Sequence, residues 1–160
     1  MNIDPLETLI QGHVRVSEWL HTMWNALGLL DGDGANDLQR LEEYFRIHVR
    51  EHFEFEETAI FPVLLEVDTR PEVASLIAEL RADHARILGA CGRLLMDLAW
   101  CMTAEDSATH IRAVKGQARA LIEDVLAHAS HEDEALLPRI QQFKAVLSSR
   151  MKAARGESEI

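Results

Sequence analysis

The 160-residue sequence predicts an all-α protein, an up-down-up-down antiparallel four-helix bundle. Three observations point there. Helix breakers occur at few places and divide the chain into four helix-sized segments. Each segment carries one inward stripe advancing mostly by threes and fours. No stretch shows the β-branched and aromatic alternation of a strand.

Asp4-Pro5 supplies a cap and a first-turn proline for the first helix, residues 5–30, which ends in the turn Leu30-Asp31-Gly32-Asp33-Gly34. Its stripe is Leu6, Ile10, His13, Ser17, Leu20, Trp24 and Leu27. The second helix, residues 35–66, runs to the break Asp68-Thr69-Arg70-Pro71, with Leu38, Leu41, Phe45, His48, His52, Glu56, Ala59 and Val63 inward. The third, residues 71–101, places Val73, Ile77, Leu80, His84, Ile87, Cys91, Leu94 and Leu98 on one face. A weaker break at Thr103-Ala104-Glu105-Asp106 opens the fourth, residues 105–148, with the stripe Ile111, Val114, Ala118, Leu121, Val125, His128, Glu132 and Leu136. Short connections make neighbours antiparallel. Residues 1–148 are expected to form one domain, and 149–160 a polar C-terminal tail in which Arg155 to Glu159 fray.

Apolar residues make up 48% of the chain, as in a globular protein rather than a disordered one. The net charge of -11 disfavours nucleic acid and an anionic membrane surface, both of which call for basic residues, and suits attraction of cations. No apolar run is long enough to span a bilayer, and the start of the chain lacks a secretory pattern, so a cytoplasmic address is expected. Cys91 and Cys101 would lie roughly 15 Å apart along one helix, too far to pair, and read as small buried apolar residues.

The passages HFEFEETAIFP and HASHEDEALLP repeat one spacing: His52, Glu56 and Pro62 recur as His128, Glu132 and Pro138. A histidine and a carboxylate four residues apart lie about 40° apart around a helix and roughly 6 Å along it, so both can reach one metal-sized point. His13 and His84 fall at a similar depth on the first and third helices. Each stripe is thus hydrophobic except near its middle, and burying those groups without partners would cost several kcal/mol in total. A metal site built from His13, His52, Glu56, His84, His128 and Glu132 resolves the conflict. The chain reads as two similar helical hairpins.

Four imidazoles and two carboxylates are too nitrogen-rich for calcium or magnesium. A single zinc would be saturated by four ligands, leaving two groups idle. Mixed nitrogen and oxygen ligation suits iron or manganese. Six ligands serve two ions if both carboxylates bridge, each metal takes two histidines, and an oxo or hydroxo group completes the bridge; such centres hold their metals about 3.5–4 Å apart. The expected cofactor is a pair of iron ions, with manganese as the alternative.

His48 lies one turn before His52 on the same stripe and is expected to face inward, as an additional ligand, a gate, a proton donor or a hydrogen-bonded core histidine. His131 reads as a surface position or one lying behind a ligand, and His110 as solvated. Tyr44 adjoins the stripe and reads as packing. Trp19, Trp24 and Trp100 read as core or helix-edge anchors, and Glu54 and Glu57 as mainly solvated neighbours of the inward Glu56.

On His13, the His52/Glu56 block with Pro62, His84, and HASHEDEALLP, the chain resembles the hemerythrin-like, or HHE cation-binding, family over about residues 5–145. The resemblance implies binding of dioxygen or nitric oxide at di-iron, with family roles in oxygen carriage, sensing and repair of iron centres. The family's oxygen carriers have a second histidine one turn after the one matching His84, where this chain has Leu88. They also use an aspartate five residues after the last histidine, a position held here by Asp133. Glu132 sits better on the stripe and matches Glu56, so it is preferred. Repair-type relatives carry a cysteine-containing N-terminal segment, whereas this sequence begins almost directly with its first helix. The leading expectation is a di-iron protein that binds a diatomic ligand for sensing, storage or transport. The alternative is an enzyme or iron donor acting in nitric oxide or peroxide reduction or in repair of iron centres. With no flavin, haem or rubredoxin-like cysteine motif in the chain, turnover would need an external reductant.

Overall fold

A computed structural model describes residues 5–29, 40, 43–101 and 107–154, and every regular element among them is helical. Helix α1 is Pro5–Leu29. Four segments, Phe45–Val49, Arg50–Phe55, Glu56–Ile60 and Phe61–Val67, follow one another directly and together are α2. Helix α3 is Pro71–Cys101, α4 Ser107–Ala135, α5 Leu137–Gln142 and α6 Lys144–Ala154. The expected turn at 30–34, Leu38, Leu41, the break at 103–106 and the fraying tail lie outside the described residues. So do the side chains of Leu6, Leu27 and Cys101.

Prolines start helices here because the first turn has no use for their missing N–H. Pro5 opens α1 and Pro71 opens α3. Between α2 and α3, Asp68 accepts the Arg70 guanidinium, Nε at 2.7 Å and Nη2 at 2.5 Å, and Arg139 of α5 approaches its Oδ2 at 3.8 Å. The expected 105–148 helix is divided instead, with breaks at Leu136 and Phe143. Pro138 explains the first break, since it offers no donor to the carbonyl four residues back and its ring crowds that carbonyl. Helix α6 then continues past residue 148, where the sequence suggested the tail begins.

Cross-helix pairs define how the rods pass. On α3 and α4, Arg86 meets Asp124 at 2.6 Å and Asp97 accepts from Gln117 at 2.8 Å. On α1 and α4, His13 meets Asp133 while Arg119 covers the Trp24 ring 5.6 Å from its centroid. On α1 and α2, Trp19 stacks at 3.7 Å on Tyr44, the residue that caps the start of α2, and His13 lies 5.0 Å from His52. In each pair, later residues of one helix meet earlier residues of the other.

The core has two apolar zones. One gathers Leu20, Phe45, Val49, Phe53, Ile87, Leu94 and Val125; the other Leu9, Ile60, Phe61, Leu64, Ile77, Leu80, Leu136 and Ile140. On α3 and α4 the buried faces follow the expected stripes, apart from Cys91 and Ile111, which are only half-buried. Two stripes need correction. On α1 the buried face is Leu9, His13, Val16 and Leu20, with Ile10 37% exposed and Ser17 half-buried. On α2, Phe45–Val49 and Glu56–Ile60 are π-helical. A π turn bonds to the fifth residue on and so takes an extra residue per turn. Phe45, Val49 and Phe53 therefore share the buried face at spacings of four, and His48, expected inward, is exposed. Ile60, Phe61 and Leu64 are buried where Ala59 and Val63 were expected, the latter two being only half-buried. Among the described residues, no helix is long and apolar enough to cross a membrane.

Candidate metal centre

Between the two apolar zones lies a layer of buried polar side chains. His13, Glu56, His84, His128 and Glu132 are each at most 4% exposed. His52 is the most accessible member, with 13% of its side chain exposed. The repeat places its carboxylates through similar local structure. Six residues beyond each glutamate stands a proline, and the residue two before that proline has the same bent dihedrals, φ -94 ψ -57 at Ile60 and φ -90 ψ -49 at Leu136.

The four Nε2 atoms all approach the two carboxylates. Glu56 presents Oε1 to His52 at 3.2 Å and to His13 at 3.6 Å, and Oε2 to His84 at 3.3 Å. Glu132 presents Oε2 to His13 at 3.1 Å, and Oε1 to His128 at 3.2 Å and His84 at 3.8 Å. Each carboxylate thus turns one oxygen toward the His13/His52 pair and the other toward the His84/His128 pair. Ligand-type atoms of His13, His52, Glu56 and Glu132 lie within 4.8 Å of one another, as do those of Glu56, His84, His128 and Glu132. Two donors each about 2.1 Å from one ion and at right angles would be about 3.0 Å apart, so these separations are of the right size for coordination.

The chemistry of the donors fits a cation. His13 Nε2, His52 Nε2 and all four oxygens of Glu56 and Glu132 are buried without a hydrogen-bond partner, their close approaches lacking hydrogen-bond alignment. Leaving one such group unsatisfied costs about 1–3 kcal/mol, more when it is charged. Electrostatics point the same way. Burial alone would lower the His13 imidazole, but the Glu132, Glu56 and Asp133 carboxylates outweigh it and raise its pKa to about 10. Burial likewise opposes charge on His84, yet Glu132, Glu56 and Glu57 raise it to about 9. His52 is lowered by burial, with Glu56 opposing. Burial pushes Glu132 up, but His128, His13 and His84 prevail and hold it well below the usual carboxylate range. The pocket favours positive charge.

All six sequence-predicted residues converge. His48 stands apart, exposed and 5.0 Å from the Tyr44 ring. The supporting carboxylates were less legible. Asp133, weighed as a ligand from sequence, lies behind the ring instead, with Oδ1 2.7 Å from His13 Nδ1. Glu57, expected to be solvated, places Oε1 2.7 Å from His84 Nδ1. Asp83 comes within 3.7 Å of His128 Nδ1 and drew no notice in the sequence. The adjacency of acidic residues to the ligand positions is the signal that could have found all three, since Asp83 precedes His84 as Glu57 follows Glu56 and Asp133 follows Glu132. Phe53 stacks on His84 at 3.9 Å, and Phe61 lies beyond at 5.8 Å. His131 is half-buried, and His110, expected to be solvated, packs edge-on to Trp100 at 4.1 Å.

A family model, the Hemerythrin HHE cation binding domain, matches residues 4–140. No curated protein and no solved structure matches the chain.

Proposed function

Because the chain belongs to the hemerythrin HHE cation-binding family, we propose that it is a non-haem di-iron protein that binds dioxygen or nitric oxide for sensing, storage or transport. The observation that carries this reading is the split of each carboxylate: Glu56 and Glu132 each offer one oxygen to either histidine pair. Two ions would be held there, one by His13 and His52 and the other by His84 and His128, with Glu56 and Glu132 each able to serve both. When bound, a reduced iron pair supplies electrons and an exchangeable coordination position to a small diatomic. Asp133 and Glu57 orient His13 and His84 from behind, a support that fixes the tautomer and strengthens the donor. Phe53 and Phe61 exclude water from the His84 side. We further propose an up-down-up-down antiparallel bundle, supported by the opposed running of the cross-helix pairs. Residues 1–148 form its domain, 149–160 append to it, and its address is the cytoplasm.

Anaerobic purification with metal analysis tests the centre, and optical spectra on adding oxygen and then nitric oxide test the ligand. About two irons per chain and a spectrum that reverses on removing oxygen are expected. Two manganese ions, or no metal after reconstitution, would defeat the iron assignment. A second reading is an enzyme or iron donor serving nitric oxide or peroxide reduction or repair of iron centres, with an external reductant. One observation favours it: a cavity of about 690 Å³ reaches His52, far more room than a diatomic needs. Steady product formation in the presence of reductant would select this second reading.

A further inference from the structure

The cavity between α1 and α2 includes Gly12, Arg15, Glu18, His48, Glu51 and His52 in its lining. His52 is the one proposed ligand it reaches among the described residues. The opposite side of the centre is closed: His84 is 1% exposed beneath Phe53 and Phe61, themselves 2% and 0% exposed. The rings also differ in how they are held. Carboxylates stand 2.7 Å behind His13 and His84 and 3.7 Å behind His128, whereas none among the described residues lies within 4.0 Å of His52 Nδ1. At that place α1 has Gly12, where a Cβ would come within 3.2 Å of His52 Cε1 and Nδ1. The smallest residue keeps the back of this ring clear.

A small apolar gas crosses a packed apolar layer without a wet route, but a hydrated divalent cation does not, because losing its water in a low-dielectric interior is prohibitive. The ion needs polar groups along its way. His48, one turn before His52, and Glu51, the residue directly before His52, are both exposed and line the same cavity. Glu18 and Glu51 outnumber Arg15, whose Nε donates to the Gln11 carbonyl at 3.2 Å. The π turn of Phe45–Val49 is what brings His48 to this wall rather than into the core.

We propose that this cavity is the loading port of the metal centre, and that His48 and Glu51 pass a hydrated divalent cation inward to His52. The port rests on the ligand assignment above, and rate and end point separate the two. Metal-free full-length protein is mixed anaerobically with ferrous ion, quenched at intervals with a ferrous chelator, and assayed for retained iron. His48→Ala and Glu51→Gln should each slow loading by roughly tenfold while reaching the same final iron content. Glu54→Gln, an equal charge change on an exposed residue outside the cavity lining, should load at the wild-type rate. Wild-type rates in both port variants would overturn the port and leave the centre standing. Equal slowing by Glu54→Gln would assign the effect to overall charge and overturn it too. A lower end point in His48→Ala would make His48 a resident ligand, not a way-station. Failure of wild-type protein to retain iron would sink the centre, and the port with it.

Discussion

Glu56 and Glu132 share a task that no single histidine has, since each faces both halves of the centre. The histidines divide into pairs, and loss of one should weaken its own half first. His52→Ala and His128→Ala are each expected to lower the iron content measured after reconstitution. Two metals retained in both variants would refute the proposed ligand set. The supporting acids give a finer test. Asp133 holds His13 from a half-exposed position, 52% of its side chain accessible, so Asp133→Asn should fold normally. Its metal affinity in a chelator competition should fall roughly 10–100-fold, the usual cost of removing a carboxylate behind a ligating histidine. An unchanged affinity would reduce that contact to incidental surface pairing.

Helix α2 shows how an element can be recognised from sequence while its facing is not. Its helicity follows from hydrophobic spacing and scarce breakers, but threes-and-fours counting assumes a constant turn. Two π segments break that assumption, so His48 turns out while Glu56 stays in. Helix α3 has no such interruption, and its buried face runs from Val73 through His84 to Leu98 almost as the spacing demands. Phe53 gains its buried place from the altered phase, and from there it stacks on His84 and meets His128 edge-on at 5.1 Å. Truncating it leaves a void against two proposed ligands. Phe53→Ala should cost about 3–5 kcal/mol in denaturant unfolding. A loss below about 1 kcal/mol would mean that the ring is not the packed seal described here.

For the molecule as a whole, metal and fold should be linked. An ion that binds only the native protein adds about 2.7 kcal/mol of stability at a free concentration a hundred times its dissociation constant. Adding ferrous ion anaerobically should therefore raise the melting temperature, and a chelator should reverse it. An unchanged melting temperature would fit a metal-free helical adaptor instead. Protons compete for the same sites. With His13 raised to about 10 and His84 to about 9, both are charged in the metal-free protein at neutral pH. Raised pKa values stabilise the fold fully below the unfolded histidine value of about 6.5, and that contribution is lost as pH climbs through 9 and 10. Metal requires the neutral rings, so its binding near pH 7 must expel protons and tighten as pH rises. A pH dye in weak buffer should register acid release on adding ferrous ion; no release would contradict the charged state of these rings.

Spacing alone was enough to reveal the helical class, the repeat of His52/Glu56 in His128/Glu132, and the layer shared with His13 and His84. Those features are local: a period of 3.6 puts chosen side chains on one face whatever surrounds the helix. How the carboxylate oxygens divide, which acids stand behind which rings, and where the cavity opens are set across helices. They depend on the axial offset of one rod against another and on a turn that widens within α2. Side-chain spacing along a single helix carries no record of either, and so His48 and Glu57 found their places only when the rods packed.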